Sequence, residues 1–191
     1  RENINRFLGN AAFIPLDNPV RILTYVGDAD GVAVSGARAA LNQVANQSGR
    51  SFTETTATRT GLTAQLANHD VLLIHAQEAA SNVELLSFGT SLSAALSEFM
   101  TRGGVVILLE GQSPSHDGTY QILEGAGLFF ADTTTPIDDT IVNVTDPGDA
   151  IATGSASVFL AESESVAFTT TEDAIVVTAP QGPFMFHKLI F

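Results

Sequence analysis

The sequence predicts an α/β fold in which helices cover both faces of a central, mainly parallel sheet. Three continuous apolar runs, at residues 20–27, 71–75 and 105–109, each have about the length of one buried strand. Each run is followed by a loop and then by a segment whose apolar residues have helical spacing. This alternation is typical of a three-layer sandwich built on a parallel sheet.

The first half of the chain supplies the alternating elements. Residues 1–19 are interpreted as an N-terminal arm packed on the domain, because Pro19 would stop a helix before the first strand. A helix is expected to begin at Ser35 or Gly36 and to end at Gly49. Further elements are predicted as an edge-like, threonine-rich strand at 51–58, a short helix at 62–68, a longer helix ending at 102–104, and a short helix within 120–128.

From about residue 136 the helical rhythm fades and short strands are predicted instead. They are separated by turn signals at Pro147-Gly148 and Gly182-Pro183. We expect residues 20–191 to form a single α/β domain with a β-rich C-terminal extension, the alternative being a separate small β subdomain from about residue 136. The predicted strands are 140–144, 157–160, 165–169, 174–179 and 184–191.

Composition excludes several classes of function. The formal net charge is −13 with a single lysine, Lys188, so the chain would repel nucleic acid and anionic lipid surfaces. No apolar stretch approaches the roughly 20 residues needed to span a bilayer. Cysteine is absent, which excludes disulfides, thiolate metal sites and a cysteine nucleophile. The chain begins at Arg1 and is rich in Thr, Ser, Ala and Asn, from which we expect an exported protein that has lost an upstream segment.

Polar residues follow the three apolar strands at the point where each strand ends. Asp28, His75 and Glu110 occupy these positions, and ligands of parallel sheets bind beside the carboxyl ends of the strands. Clustered carboxylates favour a cation or a neutral, hydroxyl-rich ligand over a phosphate. The candidate ligand-binding residues are Asp28, Asp30, His75, Glu78, Glu110, Gln112 and His116.

Each of these residues also has an interpretation without ligand chemistry. Asp28 and Asp30 could hold a divalent cation or cap a turn. His75 and Glu110 could form an acid–base pair, which would raise the pKa of the imidazole, or an inert hydrogen-bonded pair. The segment from Ser113 to Asp117 contains Ser, His and Asp, but triad members are normally distant in sequence, which favours a polar loop that caps the next helix.

The order of these elements resembles a known superfamily over about residues 20–155. The matching segments are Thr24-Tyr-Val-Gly-Asp28, Asp70-Val-Leu-Leu-Ile-His75, Phe99-Met-Thr-Arg-Gly-Gly-Val-Val-Ile107, Gly118-Thr-Tyr-Gln-Ile-Leu-Glu-Gly125 and Val142-Asn-Val-Thr-Asp146. They resemble class I glutamine amidotransferase-like domains, and within these the ThuA-like domains. The resemblance implies a flavodoxin-like strand order.

The chain departs from that family at the positions that carry chemistry. It has Asp149-Ala-Ile151 where ThuA-like domains have His-Pro-Ile, and Glu110-Gly-Gln112 where many have a histidine after the fourth strand. The cysteine elbow of true amidotransferases has no counterpart, so transfer of glutamine nitrogen by a thiolate is excluded.

From these observations we predict a domain without catalysis, cofactor or metal that binds a ligand or a partner within an exported bacterial protein. The expected partner is a small polar or carbohydrate-like ligand or another protein. The alternatives are a metal-assisted or general-base hydrolase acting on a sugar-like ligand, as the ThuA-like resemblance would allow, and a purely structural domain of a larger assembly.

Overall fold

The computed structural model describes residues 2–113 and 117–190. Its four parallel strands are β1 Val20–Tyr25, β2 Phe52–Ala57, β3 Val71–Ile74 and β4 Val105–Leu108. They form one sheet in the order β2-β1-β3-β4. The predicted parallel sheet is confirmed, and the threonine-rich strand lies at its edge as expected. The order is that of a flavodoxin-like sheet.

Helices cover both faces of this sheet. Their bounds are α1 Glu2–Ala12, α2 Gly31–Ser48, α3 Leu62–Leu66, α4 Asn82–Thr101 and α5 Gln121–Gly125. Alternate residues of β3 point to opposite faces. Leu72 and Ile74 pack with α3, α4 and α5, whereas Val71 and Leu73 pack with α1 and α2. The sheet is therefore buried on both sides, which explains its continuous apolar runs.

Helix α2 begins one turn earlier than predicted. The Asp30 carboxylate accepts hydrogen bonds from the backbone N–H groups of Val32 (2.7 Å) and Ala33 (3.1 Å), and so caps the helix ahead of the predicted start. Its end is confirmed at Gly49, which has the left-handed backbone (φ 68°) of a helix C-terminus. The predicted arm also contains a helix, α1, whose Phe7 and Ala12 are buried.

The C-terminal part is β-rich, as predicted, and its strands pair antiparallel. Its strands are β5 Thr133–Pro136, β6 Ile141–Val144, β7 Val158–Leu160, β8 Val166–Thr169, β9 Ile175–Ala179 and β10 Gly182–Phe186. Four of them form a sheet in the order β10-β9-β6-β7, and β5 pairs with β8. The last strand starts and ends earlier than the predicted 184–191.

Within the residues that the structure describes, no helix is both long and apolar enough to cross a membrane.

Candidate functional site

The carboxyl ends of β1, β3 and β4 meet at one edge of the parallel sheet, where the sequence places Asp28, His75 and Glu110. The structure brings these segments together, but through a residue that the sequence analysis did not select. Gln77 is 1% exposed and lies in the loop after β3. Its side chain makes hydrogen bonds to the exits of two strands.

Gln77 acts as a clamp between these loops. Its Nε2 donates to the carbonyls of Val26 (3.1 Å) and His75 (2.6 Å), and its Oε1 accepts from the N–H of Asp28 (2.9 Å). Its own backbone N–H donates to the hydroxyl of Thr119 (2.8 Å). Buried polar backbone groups must find partners, and Gln77 supplies them where three loops converge.

The Glu110 carboxylate holds the loop that follows β4. It accepts hydrogen bonds from the backbone N–H groups of Gly111 (3.0 Å), Thr119 (2.9 Å) and Tyr120 (2.7 Å). Burial raises the pKa of Glu110 to about 7, although these hydrogen bonds act in the opposite direction. Glu110 thus fastens the chain just before α5, and its two oxygens are already engaged.

His75 and Glu110 do not form a hydrogen-bonded pair. The register of β3 and β4 aligns Ile74 with Leu108. His75 is one residue and Glu110 is two residues beyond this aligned pair, so their side chains point to opposite faces of the sheet. His75 is 2% exposed, and burial lowers the pKa of its imidazole. The raised pKa expected for a pair with Glu110 is therefore not found.

The charged groups that influence His75 are Glu54 of β2 and Arg38 of α2. Buried Thr24 donates to Glu54 Oε1 (3.1 Å), and Arg38 donates to both Glu54 oxygens (2.6 and 3.0 Å). Burial acts to raise the pKa of Glu54, but the hydrogen bonds from Arg38 and Thr24 bring it below its usual value. The Glu54 charge in turn partly offsets the effect of burial on the pKa of His75.

The other candidate residues are distributed around this edge in separate roles. Asp28 is exposed, whereas the Asp30 carboxylate caps α2. The Glu78 carbonyl accepts a hydrogen bond from Ser113 Oγ (2.9 Å), and Gln112 Nε2 donates to both carboxylate oxygens of Asp138 (3.0 and 3.1 Å).

His116 and Ser115 lie outside the described residues, so the structure gives no geometry for the Ser-Pro-Ser-His-Asp segment as a whole. Asp117, at its end, accepts a hydrogen bond from Asn82 Nδ2 (2.6 Å) and donates its backbone N–H to Asn82 Oδ1 (2.9 Å). It therefore ties the loop to the start of α4, not to α5 as expected. Among residues 2–113 and 117–190, no group of three or more His, Asp or Glu side chains could hold a metal ion.

An apolar groove of about 560 Å³ lies between β4 and β10, and we call it the β4–β10 groove. Its polar lining residues include Glu110, Ser165 and His187. His187 Nδ1 lies 2.8 Å from both carboxylate oxygens of Asp149, so this imidazole has a fixed orientation. Its apolar walls include Leu8, Ile107, Leu123, Phe129, Phe184 and Phe186.

The fold is similar to that of a solved ThuA-like protein from Bacteroides uniformis ATCC 8492. The TM-score is 0.53 at 14% sequence identity, and the match covers 88% of this chain and 71% of that protein. At this identity the likeness shows the fold alone, and it supports the ThuA-like fold that the sequence predicts. No protein-family model and no curated protein sequence matches the chain.

Proposed function

We propose that this chain is a non-catalytic α/β domain that binds a ligand or a partner within an exported bacterial protein. The main support is the state of Glu110, the strongest acid–base candidate at the strand ends. Its carboxylate is taken up by three backbone N–H groups and holds the polypeptide in place. Glu110 lines the β4–β10 groove, but both of its oxygens accept backbone hydrogen bonds, whereas an acid–base catalyst needs an oxygen that can contact its substrate.

Two surfaces are suited to binding. The carboxyl edge of the parallel sheet offers exposed Asp28 and the Gln112–Asp138 pair, which suit a small polar or carbohydrate-like ligand. The β4–β10 groove offers apolar walls, which suit a protein segment. The net charge of −13 disfavours nucleic acid at either surface. Export is proposed from the high content of Thr, Ser, Ala and Asn.

One observation favours the second candidate function, a general-base hydrolase. Asp149 holds Nδ1 of His187, which is the arrangement that orients a general base and leaves Nε2 for a substrate or water. His187 also lines the β4–β10 groove. A hydrolase of this kind would use His187 and Asp149 in place of the predicted His75 and Glu110.

Hydrolysis assays separate the two functions. The intact protein is incubated with 4-nitrophenyl glycosides and esters, with and without Mg²⁺, Ca²⁺ or Zn²⁺, beside the variants His187→Gln and Glu110→Gln. A binding domain gives the same background release from all three proteins, and its thermal unfolding shifts saturably with a sugar or peptide it binds. Turnover by the wild type that His187→Gln abolishes, in a variant with unchanged unfolding, would refute the proposal in favour of the hydrolase.

A further inference from the structure

The two edges of the parallel sheet have opposite character. The β2 edge reads Phe-Thr-Glu-Thr-Thr-Ala, with its charged residue Glu54 paired to Arg38. The β4 edge reads Val-Val-Ile-Leu and carries neither a charge nor a proline. Natural proteins protect free sheet edges with such residues because an unprotected edge pairs with other strands. The β4 edge lacks these protective residues and is therefore able to pair with another strand.

The backbone of β4 presents hydrogen-bonding groups to the β4–β10 groove. Among the described residues β4 pairs only with β3, and Val105 and Leu109 donate their N–H groups to Asp70 (3.0 Å) and Ile74 (2.9 Å). Successive residues of a strand in a parallel ladder turn their backbone groups to opposite sides. The N–H and C=O groups of Val106 and Leu108 therefore point away from β3, toward the groove.

The walls of the groove extend this surface. Gly103 to Glu110 line it without interruption, so the full length of β4 is accessible along one side. The opposite wall includes Phe184, Met185 and Phe186 of β10, itself the edge strand of the antiparallel sheet. An extended segment of five or six residues would span roughly 20 Å and match the length of this edge.

Acidic residues beside the segment that follows β4 favour one kind of occupant. Gln112, just beyond β4, bonds the exposed carboxylate of Asp138, and its N–H donates to the carbonyl of exposed Glu164 (3.0 Å). A basic side chain of the occupant would be attracted to these acidic residues. A second copy of the chain would bring another net charge of −13 and is disfavoured.

We propose that the free edge of β4 binds an extended apolar segment of a partner protein as a fifth strand, with a basic residue of that segment beside Asp138 and Glu164. Backbone hydrogen bonds would supply affinity, and the apolar walls would select the side chains. This inference rests on the proposed function and specifies its partner class.

The test uses a labelled, acetylated peptide of alternating valine and threonine with a terminal lysine, titrated into the intact protein by fluorescence anisotropy. Two control peptides carry N-methyl groups on one or the other set of alternate amides. Strand addition predicts that one methylated peptide binds about tenfold or more weakly, for the loss of two or three hydrogen bonds, while the other binds normally. Amide exchange should slow at Val106 and Leu108 when the peptide binds.

Charge variants test these acidic residues. Glu164→Gln should weaken binding of the lysine peptide severalfold at low salt and leave a lysine-free peptide unaffected. Glu98→Gln, which removes another exposed carboxylate, in the last turn of α4, is the control and should change neither.

The inference is overturned if no peptide binds, if both methylated peptides bind like the parent, or if Val106 and Leu108 gain no protection. Sedimentation of the free protein as a dimer with both amides protected would assign the edge to a second copy. If a dodecyl detergent displaces the peptide, and neither the peptide nor the detergent protects the amides of Val106 and Leu108, the groove would be assigned to a small apolar ligand. These results leave the proposed function standing, whereas turnover lost in His187→Gln refutes that function itself.

Discussion

Replacing Gln77 by alanine should destabilise the protein by ~2 kcal/mol, because this side chain joins the exits of β1 and β3 by hydrogen bonds. The change removes three hydrogen bonds, to Val26, His75 and Asp28. Each contributes about 1 kcal/mol net, and the one lost methylene contributes ~0.8 kcal/mol. The released side-chain entropy returns about 1.5–2 kcal/mol. The buried carbonyl of His75 would lose this partner.

Urea unfolding followed by circular dichroism measures this change, with hydrogen exchange at the Asp28 amide as a local reporter. Gln112→Ala is the matched control, since its bonds to Asp138 lie at the exposed surface and its loss should cost within about 0.5 kcal/mol.

A second substitution tests the chemistry of the clamp. Gln77→Glu keeps the shape but turns the donating Nε2 into an acceptor facing the carbonyls of Val26 and His75. It should destabilise more than alanine at pH 8 and recover partly in acid, where a protonated carboxyl again donates one hydrogen bond. The reasoning is refuted if Gln77→Ala unfolds within ~1 kcal/mol of the wild type, or no more easily than Gln112→Ala.

Three further predictions concern the titratable residues and the cap of α2. The folded-state pKa of Glu110 is raised from 4.5 to about 7, so the protonated form of this residue favours folding. The stability that Glu110 contributes is therefore complete below about pH 4.5 and is lost as the pH rises to about 7, by at most ~3 kcal/mol. In Glu110→Gln, the free energy of unfolding in urea should change less across that pH range. NMR titration should give His75 a pKa below the usual value, lowered further in Glu54→Gln and unchanged in Glu110→Gln. Equal midpoints in all three proteins would show that the Glu54 charge does not act on His75. Asp30→Ala should cost about 1 kcal/mol in urea unfolding through loss of the helix cap, and Asp28→Ala close to none; equal costs would show that Asp30 does not cap α2.

The sequence predicted the strands whose burial leaves a strong pattern. β1, β3 and β4 are covered on both faces and so need continuous apolar residues, which can be recognised by the length of each run and the loops beside it. β5 was not predicted because Thr133-Thr-Thr-Pro136 has no apolar alternation, and its pairing with β8 depends on a distant segment. The start of α2 was placed too late because Asp30 was interpreted as a cation ligand or a turn residue, and not as the cap of a helix.

The site was harder to predict than the fold, for reasons visible in Gln77 and Glu110. Glutamine carries no charge, and its role depends on which backbone groups the folded chain leaves unpaired around it. Glu110 was found by its position after a strand, but its three N–H partners come from the loop at 111–120, whose path the sequence does not specify. One signal was available, because alternate residues of a strand point to opposite faces of the sheet. Counting residues from aligned β3 and β4 would have placed His75 and Glu110 on opposite faces.

The placement of His75 and Glu110 on opposite faces of the sheet also limits which ionisable residues can act together in catalysis. His75 is grouped with Glu54 on the α2 face, and Glu110 with the start of α5, so the strand ends do not combine their ionisable groups at one point. The oriented imidazole of His187 lies instead along the β4–β10 groove, where a partner strand is proposed to bind. The binding and hydrolase hypotheses thus compete for one surface. A strand seated against β4 would exclude a substrate from His187, so a peptide that binds and leaves hydrolysis unchanged would count against catalysis in this groove.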